Sequence, residues 1–129
     1  MNRVLITGVY GLIGNVVYRR LVEGRDGQGQ PSHEVHGLSR RERSSARISE
    51  GNKLAVPASR FHLAHLEDYD AVRRAVAGMD AVIHMAADPS GARGWESSLN
   101  SSLNSNLIGA YDFLEAARDA GVRRVVFAS

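Results

Sequence analysis

The sequence predicts an α/β fold in which a parallel sheet is covered by helices on both faces. Short runs rich in Val, Ile and Leu alternate along the 129-residue chain with amphipathic stretches of helical length. Connections of that length join parallel strands and pack against both faces of the sheet. The apolar runs are continuous, as expected for strands that are buried on both sides. The predicted class is therefore a doubly wound α/β sheet.

The first half of the chain is expected to form a strand, a helix and a second strand. The runs "RVLITG" at 3–8 and "EVHGLS" at 34–39 predict the two strands. Between them, 12–24 predicts a helix that stops at Gly24. Residues 40–59 are polar and basic, which predicts a long surface loop. The apolar stripe of the helix is expected to comprise Ile13, Val16, Val17 and Leu21.

The second half continues the alternation of strands and helices. Strands are predicted at 60–66, 80–87 and 122–129. Helices are predicted at 68–78, where Gly78 closes the helix, and at 95–121. Right-handed crossovers between these elements favour the strand order 3-2-1-4-5.

Composition excludes several classes of protein. Hydrophobic residues make up 43% of the chain, as in ordinary globular domains, and zero cysteines exclude disulfides and thiolate metal sites. No apolar run reaches the roughly eighteen residues of a membrane span, and "MNRVLITG" enters a strand too soon for a signal peptide. The net charge of +2 is too small to indicate a nucleic-acid partner. We therefore expect a cytoplasmic protein with neither membrane nor nucleic acid as a partner.

A glycine-rich turn links the first strand to the first helix. "TGVYGLIG" places Gly8, Gly11 and Gly14 at three-residue spacing. Gly8 permits a sharp turn, Gly11 lets a pyrophosphate approach the backbone, and Gly14 allows the helix to pack closely. Free N–H groups at the start of the helix then bind the phosphates. In this strand–turn–helix context the pattern predicts a dinucleotide site, the alternative being glycines that serve only a tight turn.

Three stretches together resemble the extended short-chain dehydrogenase/reductase family, in its NAD-dependent epimerase/dehydratase group. They are "TGVYGLIG", "VIHMAA" and "NLIGAYDFLEAARDAGVRRVVFAS", and the resemblance spans essentially the whole chain. It implies a Rossmann-like sheet that is truncated after the fifth strand. Residues 1–129 would be an NAD(P)-binding domain without the catalytic and substrate-binding part. The parent protein would use bound NAD(P) to oxidise and reshape sugars or sugar nucleotides.

The resemblance also implies the residues that bind the cofactor. Ser39 stands where NAD binders of the family have aspartate, and Arg40, Arg41 and Arg43 follow it. A guanidinium suits the 2′-phosphate, so NADP is preferred over NAD, although these arginines also fit a solvated loop. The implied cofactor residues are Thr7, Gly8, Tyr10, Gly11, Leu12, Ile13, Gly14, Ser39, Arg40, His65, Leu66, Met85, Ala86, Ala87 and Asn106.

Some of these assignments have structural alternatives. His65 occupies the place of a family aspartate, and Asn106 also fits an ordinary polar helix position. His84 is expected to be structural rather than a catalytic base. His62 and His65 could be imagined as metal ligands, but the sequence offers neither a cysteine nor a further ligand cluster, so no metal site is predicted.

The catalytic residues of the family have no counterpart in this chain. The family uses a serine or threonine after the fifth strand and a Tyr-x-x-x-Lys motif, and here Lys53, the only lysine, follows no tyrosine at that spacing. Ser129 precedes the position of the expected catalytic serine. We therefore expect the chain alone to be inactive. Two alternatives stay open: a parent that oxidises a free sugar acid, like the uronate dehydrogenases, and a non-catalytic NAD(P) sensor or scaffold. An uncovered fifth strand predicts self-association, and hence a homo-oligomer.

Overall fold

The chain forms strands and helices that alternate along the sequence. The structure is a computed structural model and describes residues 1–87 and 103–128. The strands are β1 (Asn2–Thr7), β2 (His33–Ser39), β3 (Phe61–Leu63), β4 (Ala81–His84) and β5 (Arg124–Phe127). The α-helices are α1 (Leu12–Glu23), α2 (Tyr69–Val76) and α3 (Gly109–Asp119), with a π-helical turn at Leu103–Ile108 before α3. Short 3-10 turns at Glu50–Asn52 and Ala58–Arg60 interrupt the loop between β2 and β3.

In the described part of the chain all strands pair in parallel, in the order β3-β2-β1-β4-β5. Successive residues of β1 point to opposite faces. Leu5 packs beneath α2 and α3, with Val72 and Phe113, whereas Ile6 packs on the α1 side, with Tyr18. The sheet thus has a hydrophobic core on each face, which confirms the predicted Rossmann-like fold and its strand order.

The apolar stripe predicted for α1 is half wrong. Val17 and Leu21 pack against the core under α1, but Ile13 and Val16 are exposed. The helix instead turns Gly14, Asn15 and Tyr18 inward. This rotation follows from the glycine turn, because Gly14 lies so close to the carbonyl oxygen of Gly8 that a Cβ there would be 2.0 Å from it.

β3 and β4 are shorter than the sequence indicated. The predicted strand at 60–66 ends at Leu63, after which one more ladder bond joins the Ala64 N–H to the Ser39 carbonyl oxygen. The predicted strand at 80–87 ends at His84, because the following N–H groups turn toward a side chain of β1. Apolar residues continue past both strand ends, so hydropathy alone overestimates their length.

The predicted helices at 68–78 and 95–121 are modified in the structure. α2 begins after Asp68, whose carboxylate accepts a hydrogen bond from the N–H of Ala71, and Gly78 follows the helix with φ of +73°. Residues 95–102 lie outside the described residues. The next turn, Leu103–Ile108, is π-helical rather than α-helical. The fifth strand is Arg124–Phe127, and Ser129 also lies outside the described residues.

The loop between α1 and β2 folds back on itself at the amino end of the sheet. Arg25 and Pro31 form an isolated antiparallel bridge. The carboxylate of Asp26 accepts hydrogen bonds from the backbone N–H groups of Gln28, at 2.8 Å, and Gln30, at 2.9 Å. These bonds close a small turn that lies entirely on the surface.

No helix within residues 1–87 and 103–128 is long and apolar enough to cross a membrane.

Candidate functional site

The glycine turn joins β1 to α1 at the carboxyl edge of the sheet. Gly8 adopts φ of +69°, which glycine tolerates and other residues rarely adopt. Its N–H donates to the carbonyl oxygen of Leu38 on β2, at 2.8 Å, and its own carbonyl accepts from the N–H of Gly11. The first N–H groups of an α-helix have no intrahelical acceptor, and Gly11, Leu12 and Ile13 are exposed at this end of α1. This surface therefore has the properties of an anion-binding helix terminus.

A buried side-chain pair lies beside the turn. The Thr7 hydroxyl oxygen is 2.8 Å from Nδ1 of His84, so the pair joins the carboxyl ends of β1 and β4. The same oxygen accepts the N–H of Met85 at 3.2 Å and the N–H of Ala86 at 3.1 Å. The N–H of Met85 is shared with the carbonyl oxygen of Thr7. Thr7 thereby fixes the segment that leaves β4.

His84 is held as a neutral side chain. It stacks between Phe113 on α3 and Phe127 on β5, with ring centroids 4.9 Å and 5.3 Å away. Its burial lowers the pKa of the imidazole to about 4, so the ring is uncharged at neutral pH. This environment agrees with the structural role that the sequence indicated for His84.

The loop after β2 is tied to the glycine turn and to α1. The carbonyl oxygen of Tyr10 accepts from the N–H of Ser45, and its phenol oxygen accepts from the N–H of Val56. Asn15 pairs with Leu54 in both directions: its amide N–H donates to the Leu54 carbonyl at 3.0 Å, and its amide oxygen accepts the Leu54 N–H at 3.2 Å. We call residues 45–56 the strap.

Sequence analysis missed Asn15, which lies two per cent exposed between Gly14 and Val16. The sequence did contain a signal for a buried polar side chain here. Asn15 directly follows the third glycine, Gly14, and therefore lies near the side of α1 that faces the sheet. Tyr10 was predicted to bind the cofactor. Its side chain is buried against Phe61, with 5.2 Å between ring centroids, and its phenol holds the strap.

The end of β2 carries the residues that were predicted to select the cofactor. The Ser39 hydroxyl accepts from the N–H of Arg41 at 3.3 Å, which begins the turn out of the strand. The arginines at 40, 41 and 43 are exposed. Because Gly8 is hydrogen-bonded to Leu38, this turn lies next to the glycine turn at the same edge of the sheet.

The remaining predicted residues differ in their surroundings. Met85 and Ala86 are half-buried and Ala87 is exposed, all just beyond the end of β4. His65 is exposed after β3, whereas the Leu66 side chain is buried in the core beneath α2. Asn106 lies in the π-helical turn and is exposed.

No metal site emerges from the described ranges, where no group of three or more His, Cys, Asp or Glu side chains is placed to hold an ion.

Comparison with known proteins gives a consistent family assignment. The model of the NAD-dependent epimerase/dehydratase family matches residues 4–129. NAD-dependent glucose-6-phosphate dehydrogenase of Haloferax volcanii is 31% identical over 98% of this chain, which is 42% of that protein. Uronate dehydrogenase of Pseudomonas syringae is 31% identical over 99% of this chain and 39% of its own length. The chain therefore spans well under half the length of these relatives.

A solved structure with the same arrangement supports this assignment. UDP-glucose 4-epimerase of Thermus thermophilus, crystallised with NAD, superposes with a TM-score of 0.72 at 32% identity. The match covers 98% of this chain and 37% of that one. The glycine turn, the strand order and the family model agree, and we conclude that the chain belongs to the NAD-dependent epimerase/dehydratase family.

Proposed function

We propose that this chain is the NAD(P)-binding domain of a sugar or sugar-nucleotide epimerase, dehydratase or dehydrogenase. The observation that carries the proposal is the exposed amino end of α1 above a glycine turn, at the carboxyl edge of a parallel sheet. Ligands of such sheets bind at this edge. Relatives solved with NAD support the choice of a dinucleotide.

The residues of the site fit the parts of a dinucleotide. The N–H groups of Leu12, Ile13 and Gly14 would bind the pyrophosphate, because a helix terminus favours negative charge and the Gly11 N–H already donates to the Gly8 carbonyl. Met85–Ala87 would line the cofactor where the chain leaves β4. When bound, the nicotinamide supplies hydride transfer to and from the sugar.

A direct titration tests cofactor binding. The chain of 129 residues is titrated with NADP, NAD and ADP-ribose by calorimetry. We expect saturable binding of at least one dinucleotide at one site per chain. Absence of binding by all three compounds at millimolar concentration would contradict the proposal.

We propose NADP as the preferred cofactor because β2 ends at Ser39, which Arg40 follows, rather than at an acidic residue. A guanidinium can hold a 2′-phosphate through two hydrogen bonds, whereas an aspartate would repel it. Ser39→Asp should weaken NADP binding and spare NAD, and Arg40→Ala should weaken NADP alone. Arg74→Ala removes an exposed arginine of α2 and is the matched control for charge, with no expected change. Tighter binding of NAD than NADP by the unmodified chain would overturn this preference.

We also propose that residues 1–129 by themselves catalyse no turnover. Lys53 is the only lysine, and no tyrosine precedes it at the spacing of the family motif. The chain should bind the cofactor, but it should not reduce the bound nicotinamide when glucose 6-phosphate, a hexuronate or UDP-glucose is added. A steady increase in the absorbance of reduced nicotinamide with any of these would contradict it.

A second candidate is a parent that oxidises free sugar acids, because uronate dehydrogenases match 99% and 100% of this chain. The product of the complete gene, assayed with a hexuronate and with UDP-glucose, distinguishes the two substrate classes. A non-catalytic sensor is the third candidate. A gene that encodes no Tyr-x-x-x-Lys beyond codon 129 would favour it.

Self-association is proposed from the edge strand. In the described residues β5 pairs only with β4, and Val125, Val126 and Phe127 are 46%, 57% and 48% exposed. An apolar edge of this kind recruits another strand. Light scattering should show dimers or larger species, and Val126→Lys should shift the population toward monomer. A monodisperse unmodified monomer would contradict the proposal. The cytoplasmic location stays a prediction.

A further inference from the structure

The hydrogen bonds of the Thr7 hydroxyl leave only one assignment for its proton. A hydroxyl offers one donor hydrogen and two acceptor lone pairs. The N–H groups of Met85 and Ala86 both approach this oxygen as donors. The Met85 N–H divides its bond between this oxygen and the Thr7 carbonyl, and the Ala86 N–H donates to it directly. Among the described residues, Nδ1 of His84 at 2.8 Å is the one neighbour of the hydroxyl that can accept its hydrogen, so the hydrogen points there.

This assignment also determines the tautomer of His84. Nδ1 must accept, so the ring proton resides on Nε2. A proton on Nδ1 would place three donors around an oxygen that has two lone pairs. Within residues 1–87 and 103–128, the groups recorded against the ring from other elements are Thr7 on β1, Phe113 on α3 and Phe127 on β5. None of them carries a charge that could stabilise an imidazolium.

The pair lies directly beneath the glycine turn. Thr7 precedes Gly8, and the backbone of Gly8 lies against the segment that Thr7 holds. A Cβ on Gly8 would be only 2.9 Å from both N and Cα of Ala86. The position of Ala86 therefore sets how far the turn can move toward β4.

We infer that Thr7 and His84 form a neutral clasp, locked in the Nε2–H tautomer, that positions the glycine turn and residues 85–86 for the dinucleotide. Thr7 is fully buried and its hydroxyl has no remaining hydrogen-bonding capacity. It thus acts on the cofactor through backbone position rather than by contact, unlike the direct role that the family resemblance implied. The inference rests on the proposed function only where it refers to the cofactor.

Nitrogen NMR of the histidine side chains tests the clasp without any cofactor. The chain contains five histidines, and the signals missing from His84→Asn identify those of His84. At neutral pH we expect an unprotonated Nδ1 and a protonated Nε2 on His84. Thr7→Val should shift the Nδ1 resonance, and Thr7→Ser should restore it. A protonated Nδ1 in the unmodified chain would overturn the inference, whether or not the chain binds NAD(P).

Cofactor titrations test the positioning role. Thr7→Val leaves the Ala86 N–H and Nδ1 without their partner, while the Met85 N–H keeps the Thr7 carbonyl, and we expect about tenfold weaker binding of the preferred dinucleotide. Thr7→Ser keeps the hydroxyl and should bind within about twofold of the unmodified chain. Val82→Ala is the control, because it removes core contacts on β4 but leaves the clasp intact. It should lower stability and leave affinity within about twofold.

A second pair of variants applies if Thr7→Val fails to fold. The amide oxygen of His84→Asn can occupy the place of Nδ1 and accept the Thr7 hydroxyl, whereas His84→Leu cannot. His84→Asn should retain more affinity than His84→Leu. Equal affinities for these two, or equal losses for Thr7→Val and Val82→Ala, would show that the pair only supports the fold. If the unmodified chain binds no dinucleotide, the proposed function fails while the NMR result still decides the clasp.

Discussion

The two ends of one face of the sheet are built from different polar groups. At the carboxyl end, Thr7 and His84 form a neutral, buried pair. At the amino end of the same face, Nε of Arg3 lies 3.0 Å from Oε1 of Glu34, which also lies 2.7 Å from Nε2 of His36. The hydrophobic core beneath α2 and α3 separates the two groups.

This difference indicates which end depends on shape and which on charge. The carboxyl end joins backbone segments at van der Waals distance, so small changes in volume displace the proposed cofactor site. The amino end relies on partly exposed ion pairs, which water and salt weaken. Substitutions should therefore have large effects at the carboxyl end and small effects at the amino end.

The largest effect is expected for Gly8→Ala. The new Cβ would collide with the backbone of Ala86 in addition to adopting an unfavourable positive φ. Together these effects should lower the free energy of unfolding by about 3 kcal/mol. Gly121→Ala is the matched control, since Gly121 has φ of +76° and open space around the added methyl, and it should lose only about 1 kcal/mol. Urea denaturation measures both, and equal losses would contradict the shape argument.

An intermediate effect is expected from acidification. The folded-state pKa of His84 is about 4, below its unfolded value, so the unfolded chain binds the proton first as pH falls. The contribution of neutral His84 to the free energy of unfolding is therefore fully present above about pH 6.5. It decreases by on the order of 2 kcal/mol as the pH falls toward 4. Burial also lowers the pKa of His62, which acts in the same direction. His84→Asn should reduce the pH slope of urea stability, and an unchanged slope would contradict the burial of His84.

The smallest effect is expected for Glu34→Gln. Hydrogen bonds from His36 and then Arg3 lower the pKa of Glu34, so the contribution of its carboxylate is present above its unfolded pKa and lost at lower pH. Because Glu34 is partly solvated, the change in melting temperature should be slight and should diminish with added salt. Glu67→Gln, at an exposed site after β3, is the control. If Glu34→Gln lowered stability as much as Gly8→Ala does, and independently of salt, the amino end would not be the less sensitive end of the sheet.

The sequence predicted the elements that have a strong local signal. The glycine spacing, the continuous apolar runs and the helix-length connections were sufficient for the strand order and the position of the turn. Strand ends were less accurate, because the apolar residues Met85, Ala86 and Ala87 continue the run of β4, whereas the N–H groups of Met85 and Ala86 turn to the Thr7 hydroxyl. Hydropathy reports burial, but it does not report the direction of an N–H group.

The tertiary hydrogen bonds of the site were not predictable in the same way. Asn15 and Leu54 are 39 residues apart, and Thr7 and His84 are 77 apart, so no local pattern relates them. The prediction that Ile13 and Val16 lie on the buried side of α1 was wrong for a related reason, since both are exposed. The close contact of Gly14 with the Gly8 carbonyl, rather than the hydrophobicity of Ile13 and Val16, determines how the helix is rotated.

The small surface turn between α1 and β2 offers a place to extend the protein by engineering. Its tip has open space around Gly27 and Gly29, and its hydrogen bonds are local to the turn. Loop tips of this kind tolerate inserted sequences well. Since β2 begins there at the amino end, a peptide tag or fluorescent reporter inserted at Gln28 would lie at the opposite end of the sheet from the glycine turn. Such a fusion would allow ligand titrations on a labelled chain whose two termini are both left unmodified.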